Sequence, residues 1–205
     1  LPPWCVSLLI AVCGALLGVM PLVGAGILGA AACGIMGILI PYARVLAAKK
    51  PQEYSAWSFL IGLGWIALGI LFLGITALFV STPSEIRALT MMWLPIIGAG
   101  GFAQLFVGAL SYLMPVVIGG GPSVVRIGIA ILDWQFALRV ALRNGALFLQ
   151  VVLFCAAAST AVTTLRYALW LVVIMTFAID IVMFARAGKN QARARRERIK
   201  EMSER

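Results

Sequence analysis

The chain has 205 residues, of which 63% are hydrophobic and 11% are charged, with a formal net charge of +9. Soluble domains carry roughly 25% charged residues, so this composition cannot cover a water-facing surface and excludes an ordinary soluble domain. The positive charge is not a nucleic-acid signal either: eight of the 16 basic residues fall in 186–205 and the others in short segments between apolar runs, as the positive-inside rule produces.

Runs long enough for a helix of about 20 apolar residues to cross the hydrocarbon core recur along the chain. The first predicted span is 4–20, ended by Pro21, and the second is 22–40, taken out of the membrane by Pro41, Arg44, Lys49 and Lys50. After a polar loop at 49–53, a third span covers 57–80, with Trp57 as an interfacial anchor. Ser81-Thr82-Pro83-Ser84-Glu85 has helix-capping chemistry. The fourth span, 88–118, contains Pro95 and Pro115, and each predicts a kink because proline lacks the amide donor. Gly119, Gly120, Gly121 and Pro122 predict a re-entry turn. Residues 123–143, with Arg126, Asp133, Arg139 and Arg143, read as a cytoplasmic-side hairpin with some interfacial helix. The fifth and sixth spans are 144–161 and 165–185, and a basic cytoplasmic tail closes the chain at 186–205. The expected class is therefore all-α: about six transmembrane helices, both termini cytoplasmic, in the plasma membrane.

Glycine and other small residues let helices approach closely in lipid. Gly14 with Gly18, and Gly26 with Ala30 and Gly34, form two such rows and are expected at helix packing faces. Cys5, Cys13, Cys33 and Cys155 make no CxxC pair and are read as small buried hydrophobes. The opening Leu1-Pro2-Pro3-Trp4 has no initiator Met and reads as a fragment of a longer protein. No charged segment precedes the first apolar run, so no signal peptide is read.

Few residues could carry chemistry. Asp180 is an acid inside an apolar span, which is costly; it is expected to pair with Arg139 or Arg143, or to reach the interface. Gln104 and Gln150 could hydrogen-bond across helices. No two of the eight methionines stand three or four apart on one span, which argues against a methionine copper ladder. Gly119-Gly120-Gly121-Pro122 lacks the GK[ST] ending of a phosphate loop. No catalytic residue, cofactor site or metal site is read. The expected partners are membrane lipids and other membrane subunits, not nucleic acid.

The run from Gly101 to Arg126 resembles the polytopic membrane domain of actinobacterial copper-oxidase-type proteins, itself similar to the helical core of haem-copper oxidases. Its specific part is Gly108-Ala109-Leu110-Ser111-Tyr112-Leu113-Met114-Pro115-Val116-Val117, and Ser55-Ala56-Trp57-Ser58 and the Arg139 to Asn144 segment agree with it. In proteins of that type histidine-containing helices lie upstream, and a cupredoxin-like domain can be fused elsewhere. This chain has no histidine, the usual haem axial ligand, so no catalytic residue carries over. The resemblance implies a helical fold in a respiratory or copper-handling setting. The leading expectation is a non-catalytic subunit or domain of a redox assembly. The alternatives are a small-solute or copper transporter lined by Gln104, Tyr112, Gln150 and Asp180, or the membrane half of a haem or copper oxidoreductase.

Overall fold

Proline sets where most helices begin. Its fixed φ and missing donor suit the first helical positions, where the amide has no intrahelical partner. In a computed structural model of the chain, which describes residues 2–50, 53–154 and 159–204, five helices carry proline at their first or second residue. These are α1 (Pro3–Leu17), α2 (Met20–Gly34), α3 (Ile40–Lys49), α5 (Pro83–Ile97) and α7 (Pro122–Leu132). The others are α4 (Tyr54–Phe79), α6 (Gln104–Ile118), α8 (Phe136–Phe154) and α9 (Thr160–Ser203). The fold is all-α, with no strand among the described residues.

Five continuous helical stretches are long and apolar enough to cross a membrane: Met20–Lys49, Tyr54–Phe79, Pro83–Ile118, Phe136–Phe154 and Thr160–Ser203. The helix answering to the first expected span, α1, has only 15 residues, or about 22 Å of length. Two stretches pass through wider π-helical turns, Ile35–Leu39 and Gly98–Ala103. The first precedes Pro41, whose ring would clash with the carbonyl four residues back in a regular helix. The second is the glycine-rich segment three residues after Pro95. The irregularity of the long fourth stretch lies there, and helical turns continue through Pro115.

The chain divides into two compact units, Leu1–Pro51 with Leu60–Ala103, and Gln52–Phe59 with Gln104–Arg205. In the first unit, glycines mark where helices touch. A Cβ on Gly14 would lie 2.6 Å from the Val23 nitrogen, and one on Gly26 2.6 Å from the Ser7 carbonyl oxygen, so both sit at the α1–α2 contact. The other two expected packing glycines do not. Gly18 ends α1 in the left-handed conformation at φ 69°, where the Val19 amide donates to the Gly14 carbonyl. Gly34 faces open space. Gly29, one turn beyond Gly26, meets Ser7 instead. Trp65 is buried against Gly100, and Phe72 stacks on Trp93 at 4.1 Å between ring centroids. Cys5 and Cys33 are half-buried and Cys13 is exposed, all three free; they lie outside the interior where they were expected, and Cys155 is outside the described residues. Thr82 caps α5 by accepting from the Glu85 amide, and Glu85 returns an acceptor to the Ser81 amide, a reciprocal pairing of orphan donors.

The second unit differs most from the sequence reading. Residues 186–203 are not a separate tail: α9 runs unbroken from Thr160 to Ser203, and its distal part packs on the end of α6. There Gln191 Nε2 donates to the carbonyls of Pro115 and Gly119, Arg195 to that of Ile118, and Arg198 to that of Gly120. The last carbonyls of a helix lack partners and carry partial negative charge, so these side chains satisfy the C-terminus of α6. Gly119, Gly120 and Gly121, at φ 69°, 101° and 88°, make the turn into α7 that only glycine enters without strain. Leu132, Met183 and Ala187 form the core beneath, with Met114, Ile131, Ile179 and Phe184 around them.

Candidate functional site

Arg139 and Arg143 stand one turn apart on α8, and Thr176 and Asp180 one turn apart on α9. Residues four apart share a helix face, so the two pairs meet where α8 packs on α9. Arg139 Nη1 donates to Asp180 Oδ1 and Arg143 Nη2 to Asp180 Oδ2. Tyr54, the first residue of α4, donates its hydroxyl to Oδ2 at 2.8 Å and accepts from Arg143 Nη1 at 3.1 Å. Arg143 Nε donates to Thr176 Oγ1 at 3.1 Å, and Arg139 Nη2 to the Leu132 carbonyl.

Arg143 is 0%, Asp180 1% and Arg139 3% exposed. Charges so buried persist only when paired and hydrogen-bonded. Here two guanidiniums face one carboxylate, and the excess positive charge is spread over neutral groups. Besides the Leu132 carbonyl and Thr176, the Arg139 guanidinium lies 4.5 Å from the Tyr54 ring centroid and that of Arg143 3.9 Å from the Phe177 centroid, a cation–π geometry. The arginines therefore do not sit in an interfacial hairpin: α8 begins at Phe136 rather than 144 and carries both into the interior.

A second acid adjoins the cluster. The Tyr54 amide, unpartnered within α4, donates to Asp133 Oδ1 at 2.7 Å, so the loop between α7 and α8 caps α4. Burial holds the Asp133 carboxyl above the ordinary carboxylate range and Glu53 adds to this, against the Tyr54 amide and Arg139, which favour its charged form.

The other expected polar residues stay apart from this cluster. Gln104 is fully buried on α6; its backbone carbonyl accepts from Ser58 Oγ at 3.0 Å, while neither polar atom of its side chain has a partner among the described residues. The expected side-chain bond across helices is therefore absent there. Gln150 does link helices: its Nε2 donates to the Arg166 carbonyl at 2.7 Å, and Arg166 Nε donates to its Oε1 at 3.4 Å. Tyr112 is exposed. Gln104, Tyr112, Gln150 and Asp180 thus share no hydrogen-bond partner among the described residues. Tyr54, Thr176 and Gln191 were not singled out from sequence. A buried stripe on α9 at Val173, Thr176, Asp180, Met183, Ala187 and Gln191 held the signal for two of them, in spacings of three and four that run past residue 185.

Among the described residues no three His, Cys, Asp or Glu side chains gather as a metal site. Without histidine in the chain, its donor set does not fit the haem or copper that the resemblance would imply. Comparison with family models, with curated proteins and with solved structures finds no match.

Proposed function

We propose that this chain is a non-catalytic integral membrane domain that packs into a larger membrane assembly, of the respiratory or copper-handling kind to which the Gly101–Arg126 stretch points. One observation carries the reading. The buried acid of α9 is fully engaged: both Asp180 oxygens are taken by Arg139, Arg143 and Tyr54 at 1% exposure. A carboxylate that relays protons or cations must exchange partners with water or cargo, whereas this one fastens α8 to α9 and to the start of α4. The reading places the chain in the plasma membrane with both ends cytoplasmic; the positive-inside rule supports it through the placement along the sequence of Arg44, Lys49, Lys50, Arg126 and the basic residues of 186–205.

The test is purification of the tagged chain from its native membrane in a mild detergent. Other integral membrane polypeptides should co-migrate through size exclusion in fixed ratio. A chain that elutes alone, as one copy in its micelle, would defeat the proposal. The transporter alternative is read in vesicles, where Asp180→Asn abolishes solute flux if a pathway runs through that carboxylate.

A further inference from the structure

Several helix ends in the second unit share one level. Asp133 caps the first amide of α4, and α7 ends at Leu132 as α8 begins at Phe136. The Asp180 cluster lies at the same level, because it bonds both Tyr54 and the Leu132 carbonyl. On α9 the first exposed charge beyond Asp180 is Arg186, roughly 9 Å further along the axis. Trp134, 51% exposed, stands in the α7–α8 loop. An exposed indole just past the end of α7 and an arginine just past the apolar run of α9 mark the headgroup layer of a bilayer.

Between α7 and α9 at this level lies an open cleft of about 340 Å³ lined by Ala130, Ile131, Trp134, Met183, Arg186 and Asn190. Its lining has two characters. Ala130, Ile131 and Met183 are apolar, while Arg186, Asn190 and the Trp134 indole bring hydrogen-bond donors. Arg186 meets no carboxylate among the described residues, where the ion pairs join Arg139 and Arg143 to Asp180, Arg193 to Glu197 and Lys200 to Glu204. A guanidinium offers a fork of donors that suits phosphate oxygens, and basic pockets between helices on the cytoplasmic side suit anionic lipid headgroups.

We propose that this cleft is a binding site for an anionic phospholipid, its phosphate held by Arg186 and Asn190 beside Trp134 and its proximal acyl chain lying over Ala130, Ile131 and Met183. The lipid is favoured over an acidic protein segment because the apolar floor continues the membrane-facing side of α9, where Ile181 and Val182 are exposed. The site stands independently of any redox assembly.

The test is native mass spectrometry of the purified chain with added phosphatidylglycerol or phosphatidylcholine, alongside inorganic phosphate and a polyglutamate peptide. Phosphatidylglycerol should be retained in preference to phosphatidylcholine, and Arg186→Gln should lower its affinity about fivefold, the share expected of one basic residue near the surface. Arg198→Gln removes the same charge three turns further along α9 and should leave it unchanged. Ala130→Phe fills the cleft from an exposed position and should block retention; it carries the test by itself if Arg186→Gln fails to fold. Equal retention of phosphatidylcholine overturns the proposal, as does an equal loss in Arg198→Gln, which would mean diffuse attraction. So does Arg186-dependent binding of phosphate or polyglutamate in place of the lipid.

Discussion

Arg143 and Asp180, 37 positions apart, form an ion pair in which neither partner is reached by solvent. The Tyr54 hydroxyl bridges them, bonding both the carboxylate and the guanidinium. The pair holds three helices at one point, and its removal has a definite order of severity.

Asp180→Asn leaves both Arg139 and Arg143 buried without a counter-charge, whereas Arg143→Met leaves Asp180 still paired with Arg139. Breaking a buried ion pair from one side costs about 3–5 kcal/mol. Asp180→Asn should therefore lower the unfolding midpoint in detergent more than either single arginine-to-methionine change. Tyr54→Phe, which removes only the bridging hydroxyl, should cost about 1.5–3 kcal/mol, as for hydrogen bonds to charged groups. The triple change Asp180→Leu, Arg139→Met, Arg143→Met should recover much of the loss. A milder effect of Asp180→Asn than of Arg143→Met would show that the arginines find other partners.

The buried Asp133 carboxyl predicts the sign of one pH dependence of the fold. Its carboxyl sits above the ordinary range in the folded chain, so the folded state binds the proton more tightly than the unfolded state. The resulting stabilisation is complete below the unfolded value and is lost as pH rises through the folded one. Asp133→Asn keeps an acceptor for the Tyr54 amide but cannot ionise, so thermal melts against pH should lose this component. Asp133→Ala removes the cap as well and should cost about 1 kcal/mol more than Asp133→Asn at every pH. A wild-type melting curve that gains stability over the same rise in pH would contradict this assignment.

Gln104 is buried with an amide that bonds nothing among the described residues. Such a group carries a desolvation penalty of about 1–3 kcal/mol, so Gln104→Met, similar in volume, should raise the melting temperature. A marked fall instead would reveal a water or ligand bonded to the amide.

Gly26 and Gly34 belong to the same small-residue row but should respond oppositely. A Cβ at Gly26 would strike the Ser7 carbonyl and the Ala11 backbone, and Gly26→Val should separate α1 from α2, read as loss of a disulfide engineered between them. Gly34 has open space, so Gly34→Ala should stabilise by up to about 1 kcal/mol, the helix-propensity difference.

The length of the apolar runs determined the all-α class: a backbone in lipid is satisfied only in helices or closed barrels, and runs of about 20 residues suit a helix, where a barrel strand takes about 9–11. Thr82 with Glu85 announced a cap, while Pro21 and Pro41, which read as ends of spans, stand at the second positions of α2 and α3. These are local effects, set by residues within a few positions of one another. Which charges lie inside was a different matter. The pairing of Asp180 with Arg139 or Arg143 was legible and both pairs form, but the segment holding the arginines read as an interfacial hairpin; only the approach of α8 to α9 supplies the further hydroxyls and carbonyl that make burial tolerable. The basic segment after residue 185 read as a tail for the same reason. Its arginines have no local partner, and the carbonyls they bond, at Ile118 and Gly120, lie more than seventy residues away. Gly18 and Gly34 match the spacing of a packing row as well as Gly14 and Gly26 do, yet only the path of the neighbouring helix decides which of them is touched.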